Sequence, residues 1–326
     1  MDTALALAAR GHEVQAICHE KFIKRGLLEQ VSNLQVETVK VGGEYDFLAP
    51  GRIAKLIREF NPEIVHTQLK RAAWHGGRAA HRVGVPVVSK LHNYVQLDRY
   101  RYVHTLIGTT EDQRQHALKL NWPKDRVTVI PNFSRVLPVK EARTPQLNPL
   151  KLLSYGRYVH KKGFDVLLRA MKGLVDTGVD VQLKIGGSGV ELESLVALAG
   201  ELDISDRVSL GVWIEDVTIA LDQADVFVLP SRDEPFGIVM LEAMARGLPI
   251  VTTRTQGPSQ VLTDDSAYFA AIDATDELSN ALRQIAEHPG RAKEKADTAL
   301  KLYRTTYHED AVLPRLEELY RSVSSQ

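Results

Sequence analysis

L-P-S-R-D-E-P-F-G-I-V-M-L-E-A-M-A-R-G-L-P-I-V-T-T, residues 229–253, decides the reading of this chain. It parses as the end of a buried strand (224–230), a tight polar loop, a short helix (about 237–246), a stop at Gly247 and a second strand (249–253). The loop brings Glu234 and the open N–H groups of Phe236, Gly237 and Ile238 towards one point, and Glu242 lies further into the helix. Unsatisfied N–H groups at a helix start favour anionic and hydroxyl-rich ligands. Parallel sheets bind ligands beyond the carboxyl ends of their strands.

Outward from this stretch, apolar strand-length runs alternate with helix-length periodic segments. Strands are predicted over 151–156, 181–186, 207–212, 224–230, 249–253 and 267–270, with helices over 163–177, 190–202, 214–223, 237–246 and 274–287. The first half alternates in the same way, with strands over 13–19, 34–39, 64–67, 86–91, 106–109 and 127–130. Such alternation predicts an α/β fold with two Rossmann-like halves, each a parallel sheet flanked by helices. Residues 135–149 carry three prolines and no period, which reads as an interdomain linker. The expected domains are 1–140 and 141–307, with a final helix over about 308–326 packing back on the first.

Bulk properties agree. A 326-residue chain exceeds one comfortable core. Its 44% hydrophobic and 25% charged residues are ordinary for a globular protein. A lone cysteine, Cys18, excludes a disulfide framework and fits a reducing, cytoplasmic compartment. No run is long and apolar enough for a membrane span, and no signal-peptide pattern opens the chain. Zero net charge hides an asymmetry. Residues 1–149 hold 22 Lys and Arg against 14 Asp and Glu; the remainder holds 19 against 27. The basic half suits either its acidic neighbour or an anionic surface, including peripheral contact with a membrane. Nucleic acid is disfavoured, because the cations are scattered and no recognition pattern accompanies them.

Two further segments carry chemistry. In S-Y-G-R-Y-V-H-K-K-G (154–163) a strand end is followed by Arg157, with Lys162 at the next helix start. Two cations beside a helix N-terminus make an oxyanion site, although surface cations beside a glycine turn look the same. Gly186-Gly187-Ser188-Gly189 lets a ligand approach the backbone closely, or is a plain turn.

Segments 156–170, 185–195 and 224–253 together resemble the retaining glycosyltransferases of family 4, strongly over 151–262 and more weakly in the first half. The resemblance implies the GT-B fold, two Rossmann-like domains whose parallel sheets face a central cleft. It implies a hexosyltransferase-type enzyme that moves a sugar from a nucleotide diphosphate donor, such as a UDP- or GDP-sugar, to a glycan or lipid-linked acceptor. Lipopolysaccharide and exopolysaccharide are the expected acceptor classes, at the inner face of the membrane. Arg157 and Lys162 would bind the diphosphate, Glu234 with the backbone of Phe236–Ile238 the sugar, and Glu242 the ribose. Gly187 would line the nucleotide pocket, and His92 would point at the transferred sugar. No cofactor is expected. No D-x-D occurs in the chain, which argues for a metal-independent reaction.

There are departures. The chain starts part-way along the first helix of the family's pattern, so the N-terminal domain is expected to lack its first strand and glycine-rich loop, with lower stability or activity in consequence. Gln68 and Gln256 replace residues common in the family. His66, His75 and His81 lack metal-ligand spacing. Trp74 and Trp122 read as packing residues, and Lys21, Lys24 and Arg25 as either a solvated face or a docking patch. A nucleotide-sugar epimerase of the same architecture and a catalytically impaired sugar-nucleotide-binding protein are the alternatives.

Overall fold

The computed structural model describes residues 1–325. Two compact units form, Met1–Arg135 with the C-terminal segment from Glu309, and Val136–His308. In chain order the strands of unit 1 are β1 (Val14–His19), β2 (Leu34–Val39), β3 (Val65–Gln68), β4 (Val87–Lys90), β5 (Thr105–Gly108) and β6 (Val127–Val129). Those of unit 2 are β7 (Leu150–Tyr155), β8 (Val181–Gly186), β9 (Val208–Val212), β10 (Val226–Leu229), β11 (Ile250–Thr253) and β12 (Tyr268–Ala270).

Unit 2 holds one parallel sheet in the order β12-β11-β10-β7-β8-β9. V-F-V-L in β10 and I-V-T-T in β11 are buried at every position. Strands covered on both faces read as near-continuous apolar runs for this reason. Helices Phe164–Asp176, Leu192–Glu201, Val217–Asp222 and Ile238–Ala245 make the crossovers. The chain runs outward from β7 to β9, then returns to the other side of β7 with β10. The strand order therefore reverses between β7 and β10, and the loops leaving these two strands flank the switch point.

The proline-rich segment after Arg135 is not a loose linker. Val139 N–H donates to the Ala245 carbonyl, and Ala142 N–H to Asp297. The Arg143 guanidinium reaches the carbonyls of Leu221, Asp222 and Ala224. Prolines remove periodicity, not attachment: here the backbone and one arginine strap the segment onto unit 2.

Unit 1 has a parallel sheet β3-β4-β5-β6 and a separate parallel pair β1-β2. β1 and β3 thus each pair along one edge only. β1 is half-buried throughout, and in β3 only Thr67 is buried, where the sequence predicts a buried strand. A strand without a neighbour on one side keeps part of its surface in water. The basic stretch that holds Lys21, Lys24 and Arg25 forms only the short helix Arg25–Glu29, of which Leu28 alone is buried. The C-terminal helix Glu309–Ser324 packs Val312, Leu313 and Leu316 against Leu7, Val88, Ile107 and Phe133. Ion pairs Arg10–Glu317 (2.6 Å) and Arg135–Glu309 (3.0 Å) fix it.

Beneath that helix lies a group of bases. Lys90 is buried, and its Nζ donates to the Pro131 carbonyl at 2.8 Å. Burial, and then Arg315, lowers its pKa to about 7. His66 Nδ1 lies 2.5 Å from the Tyr320 hydroxyl. Burial and Lys90 lower the pKa values of His66 and His92 to about 3 and about 4.

The unfolded chain keeps a proton on Lys90 to about pH 10, whereas the folded one releases it near 7. Between those values the unfolded state binds more protons, so this position adds stability as pH rises. Relative to Lys90→Met, the wild type should gain about 2–3 kcal/mol between about pH 7 and about pH 9. Chemical denaturation of both proteins at the two pH values checks this, and a difference that does not move with pH refutes it.

Candidate functional site

The loop after β10 is held on the turn after β7. Arg232 N–H donates to the Lys161 carbonyl at 2.8 Å. The Arg232 guanidinium forks onto both Asp165 oxygens at 2.8 Å and places Nε 2.6 Å from Asp273. The two loops touch through backbone. Gly163, at φ +64°, could not carry a Cβ, which would lie 2.1 Å from the Pro230 carbonyl oxygen. From the other side, Gly257 N–H donates to the Glu234 carbonyl at 2.8 Å.

This framework buries Glu234 and sets its Oε2 2.6 Å from Lys162 Nζ. The two side chains expose only 16% (Lys162) and 11% (Glu234), so each charge is largely dry and depends on the other. Gly237, at φ +85°, opens the helix Ile238–Ala245. Among the described residues, no hydrogen bond engages the N–H groups of Phe236, Gly237 and Ile238. These donors stay available at the positive end of the helix.

Gly187 approaches Gly156 so closely that a Cβ would lie 2.0 Å from the Gly156 carbonyl oxygen. The stem of Lys162 passes the open face of Gly156. Arg157 is exposed and forms no ion pair among the described residues. On the helix, Glu242 Oε2 accepts a 2.5 Å hydrogen bond from the Tyr155 hydroxyl. Burial, and then the Glu242 charge, raises the Tyr155 pKa well above its usual value, so the phenol stays a donor. Tyr155 also meets Phe227 edge-on at 5.3 Å. Among the described residues no three His, Cys, Asp or Glu side chains gather as a metal-binding group, and no helix is long and apolar enough to cross a membrane.

An edge of a parallel sheet at its switch point, with a buried Lys–Glu pair, an unpaired arginine and open helix N–H groups, is equipped for an anionic, hydroxyl-bearing ligand. Comparison with known proteins agrees. Residues 139–301 match the family described as Glycosyl transferases group 1, and residues 1–134 match Glycosyltransferase Family 4. The chain belongs to the group 1 glycosyl transferases. It is 29% identical to the lipopolysaccharide core biosynthesis glycosyltransferase LpsD of Rhizobium meliloti (strain 1021), over 97% of this chain and 91% of that protein. It is 30% identical to LpsE of the same organism, over 86% of this chain and 82% of the relative. Among solved structures, Anabaena Alr3699/HepE in complex with UDP and glucose superposes with a TM-score of 0.84 at 17% identity, covering 98% of this chain and 95% of that one. The fold is GT-B.

In this glycosyltransferase Arg157, Lys162, Gly187, Glu234 and Phe236–Ile238 come together at the switch-point edge of unit 2, and Glu242 sits one turn into the helix. His92 belongs to unit 1, two residues beyond β4, half-buried and neutral near pH 7. The resemblance assigns Lys162 and Arg157 together to one diphosphate; the structure adds a direct contact of Lys162 with Glu234. Tyr155, Arg232 and Gly257 escape the sequence reading. Tyr155 had a signal: strand alternation puts it on the face of Leu153, which packs in the same core as Leu241.

Removing one member of the Lys162–Glu234 pair strands a dry charge. Lys162→Met and Glu234→Gln should each lower stability by about 1–3 kcal/mol, and the double variant by clearly less than the sum. Additive losses in a denaturation cycle would mean the pair is not coupled.

Proposed function

We propose that this glycosyltransferase transfers a hexose from a nucleotide diphosphate sugar, such as a UDP- or GDP-sugar, to a lipopolysaccharide core or related lipid-linked or exopolysaccharide acceptor. The reading includes retention of configuration, independence of metal and a site of action at the cytoplasmic face of the membrane. The buried Lys162–Glu234 pair beside the unpaired Arg157 carries it. The names of the two Rhizobium relatives support the acceptor class, and the UDP and glucose bound to the Anabaena protein support the donor class.

Breaking a sugar–diphosphate bond leaves negative charge on the diphosphate and positive charge on the sugar ring. Arg157 supplies net positive charge to the leaving group, and Lys162, held by Glu234, supplies a preorganised donor to it, which lowers the barrier. Glu234, held by Lys162, accepts hydrogen bonds from sugar hydroxyls, and the N–H groups of Phe236–Ile238 donate to the same ligand. Glu242 takes the ribose hydroxyls with its position set by Tyr155. Gly187 leaves room for the nucleotide against the backbone. Neutral His92 is suited to a hydrogen bond with the transferred sugar. The acceptor oxygen bonds to the anomeric carbon on the face from which the diphosphate departs. Its proton passes to a leaving phosphate oxygen, so retention needs no protein nucleophile.

Sugar transfer by wild type, Glu234→Ala and Lys162→Ala, assayed with a panel of UDP- and GDP-sugars and a lipopolysaccharide core acceptor, tests the assignment. A fall in kcat of about 10²–10³ is expected for each variant; rates equal to wild type would sink it. An epimerised donor produced without acceptor would overturn transfer in favour of epimerisation.

Tyr155→Phe separates positioning from chemistry. Loss of a hydrogen bond to a charged partner should raise the donor KM about tenfold and leave kcat nearly unchanged. A kcat effect with constant KM would move Glu242 away from ground-state ribose binding.

A further inference from the structure

We propose that three arginines gathered on Trp74 hold an acidic substituent, phosphate or carboxylate, of the glycan acceptor. The segments that leave the carboxyl ends of β2, β3 and β4 meet at this indole. β3 ends at Gln68 and runs straight into the helix Leu69–Val83, which carries Trp74 and Arg78. The segment after β4 brings Arg99 and Arg101. The segment after β2 closes the side, where Trp74 Nε1 donates to the Glu44 carbonyl at 3.2 Å. Parallel sheets bind ligands beyond this edge, and His92 follows β4 on the same edge.

The guanidiniums of Arg78, Arg99 and Arg101 lie 4.9, 4.7 and 4.8 Å from the centre of the indole. The ring itself is buried, so its part is to hold the cations rather than to stack on a sugar. Arg99 has acid partners, Glu44 at 2.7 Å and Asp98 at 3.1 Å. Lys70 lies 3.7 Å from the same Glu44. Arg78 and Arg101 form no ion pair among the described residues. Asp46, in the segment after β2, is taken up by Arg52 and by the N–H groups of Gly42, Leu48 and Ala49. Lys70, Arg78, Arg99 and Arg101 therefore face two carboxylates, Glu44 and Asp98, which leaves an excess of two positive charges.

Like charges held on one ring repel, and stacking does not neutralise them. One phosphate dianion or two carboxylates would remove the excess. Guanidinium forks fit the oxygens of both groups and prefer them to neutral hydroxyls. Arg78 and Arg99 are half-buried, so a single substituent on a sugar reaches them where a flat layer of lipid headgroups does not. The donor diphosphate is assigned to Arg157 and Lys162 of unit 2, which leaves the acceptor as the source of the anion. That last step rests on the transfer reading above; binding of an acidic glycan at Trp74 is measured without it.

Titration calorimetry of the full chain with a deacylated lipopolysaccharide core oligosaccharide tests the proposal. The sugar is used intact, phosphatase-treated, carboxyl-reduced and doubly treated. The intact form should bind at least about tenfold tighter than the doubly treated one. The treatment that lowers affinity shows which acidic group is held. Arg78→Gln with Arg101→Gln should remove the difference. Arg101→Gln alone alters one exposed side chain, should narrow the difference about threefold, and keeps the result readable if the double variant unfolds. Equal binding of intact and doubly treated sugar, or a difference that the arginine variants retain, overturns the site. If the wild type also transfers sugar equally well to both forms, the site fails and the transfer reading stands. Arginine-dependent binding of the acidic sugar with no transfer to it would keep the site and sink the transfer reading. Displacement of the oligosaccharide by glycan-free phosphatidylglycerol vesicles would assign the arginines to lipid headgroups and overturn the proposal.

Discussion

The contact between Lys162 and Glu234 is the constraint on which unit 2 turns. Two charges 2.6 Å apart and mostly out of water are tolerated only as a pair, since either alone would cost several kcal/mol of uncompensated desolvation. To form it, the turn after β7 and the loop after β10 must meet. These strands are neighbours because the chain returns across β7 after β9, so sheet topology supplies the meeting point. Close backbone contact then requires glycine at 163 and 257, where any Cβ would lie 2.1 and 2.3 Å from another chain segment. Arg232, forked onto Asp165, locks the same two loops a few residues away.

That arrangement divides the electrostatic work. Lys162 is already compensated by Glu234, so the pair adds little net charge and mainly supplies a fixed, preorganised donor and acceptor. Net positive potential at this edge comes from Arg157, which is exposed and unpaired, and from the open N–H groups at the start of the helix Ile238–Ala245. A ligand with a compact negative charge and adjacent hydroxyls fits both parts. Glu242 extends the arrangement with one oxygen committed to Tyr155. A carboxylate anchored through one oxygen is oriented before any ligand arrives, which reduces the entropy lost on binding.

Much of this was legible in the sequence, and the failures have particular causes. Strand–helix alternation located the twelve strands, because parallel sheets need apolar runs and crossover helices whatever their function. Glycines at strand ends marked close backbone approach. The Lys162–Glu234 contact was not legible, because its members lie 72 positions apart and no local period reports which loops meet. Tyr155 was legible by alternation with Leu153, but a tyrosine closing a strand reads first as packing. That the segment after Arg135 is strapped to unit 2 was not legible, because its prolines erase the only local signal, while its attachment depends on carbonyls over 70 residues away. The run 64–67 read as a buried strand; whether a strand is covered depends on its neighbours, and β3 has one.

Unit 1 obeys the same rule about dry charge with the opposite solution. Where unit 2 pairs its buried lysine with a carboxylate, unit 1 buries Lys90 against a carbonyl oxygen and beside two histidines and Arg315. With no acid partner among the described residues, discharge costs less than burying the charge. The lysine moves towards neutrality near pH 7, and His66 and His92 are neutral well below it. Neutral bases keep directional hydrogen bonds without the desolvation cost of an ion, and two of these serve structure: Lys90 bonds the Pro131 carbonyl, where the chain leaves β6, and His66 meets Tyr320 of the C-terminal helix. The helix that closes the chain therefore covers polar groups that are kept uncharged by its own presence. Its removal would rehydrate and recharge them, which couples the docking of residues 309–324 to the protonation of β3 and β4.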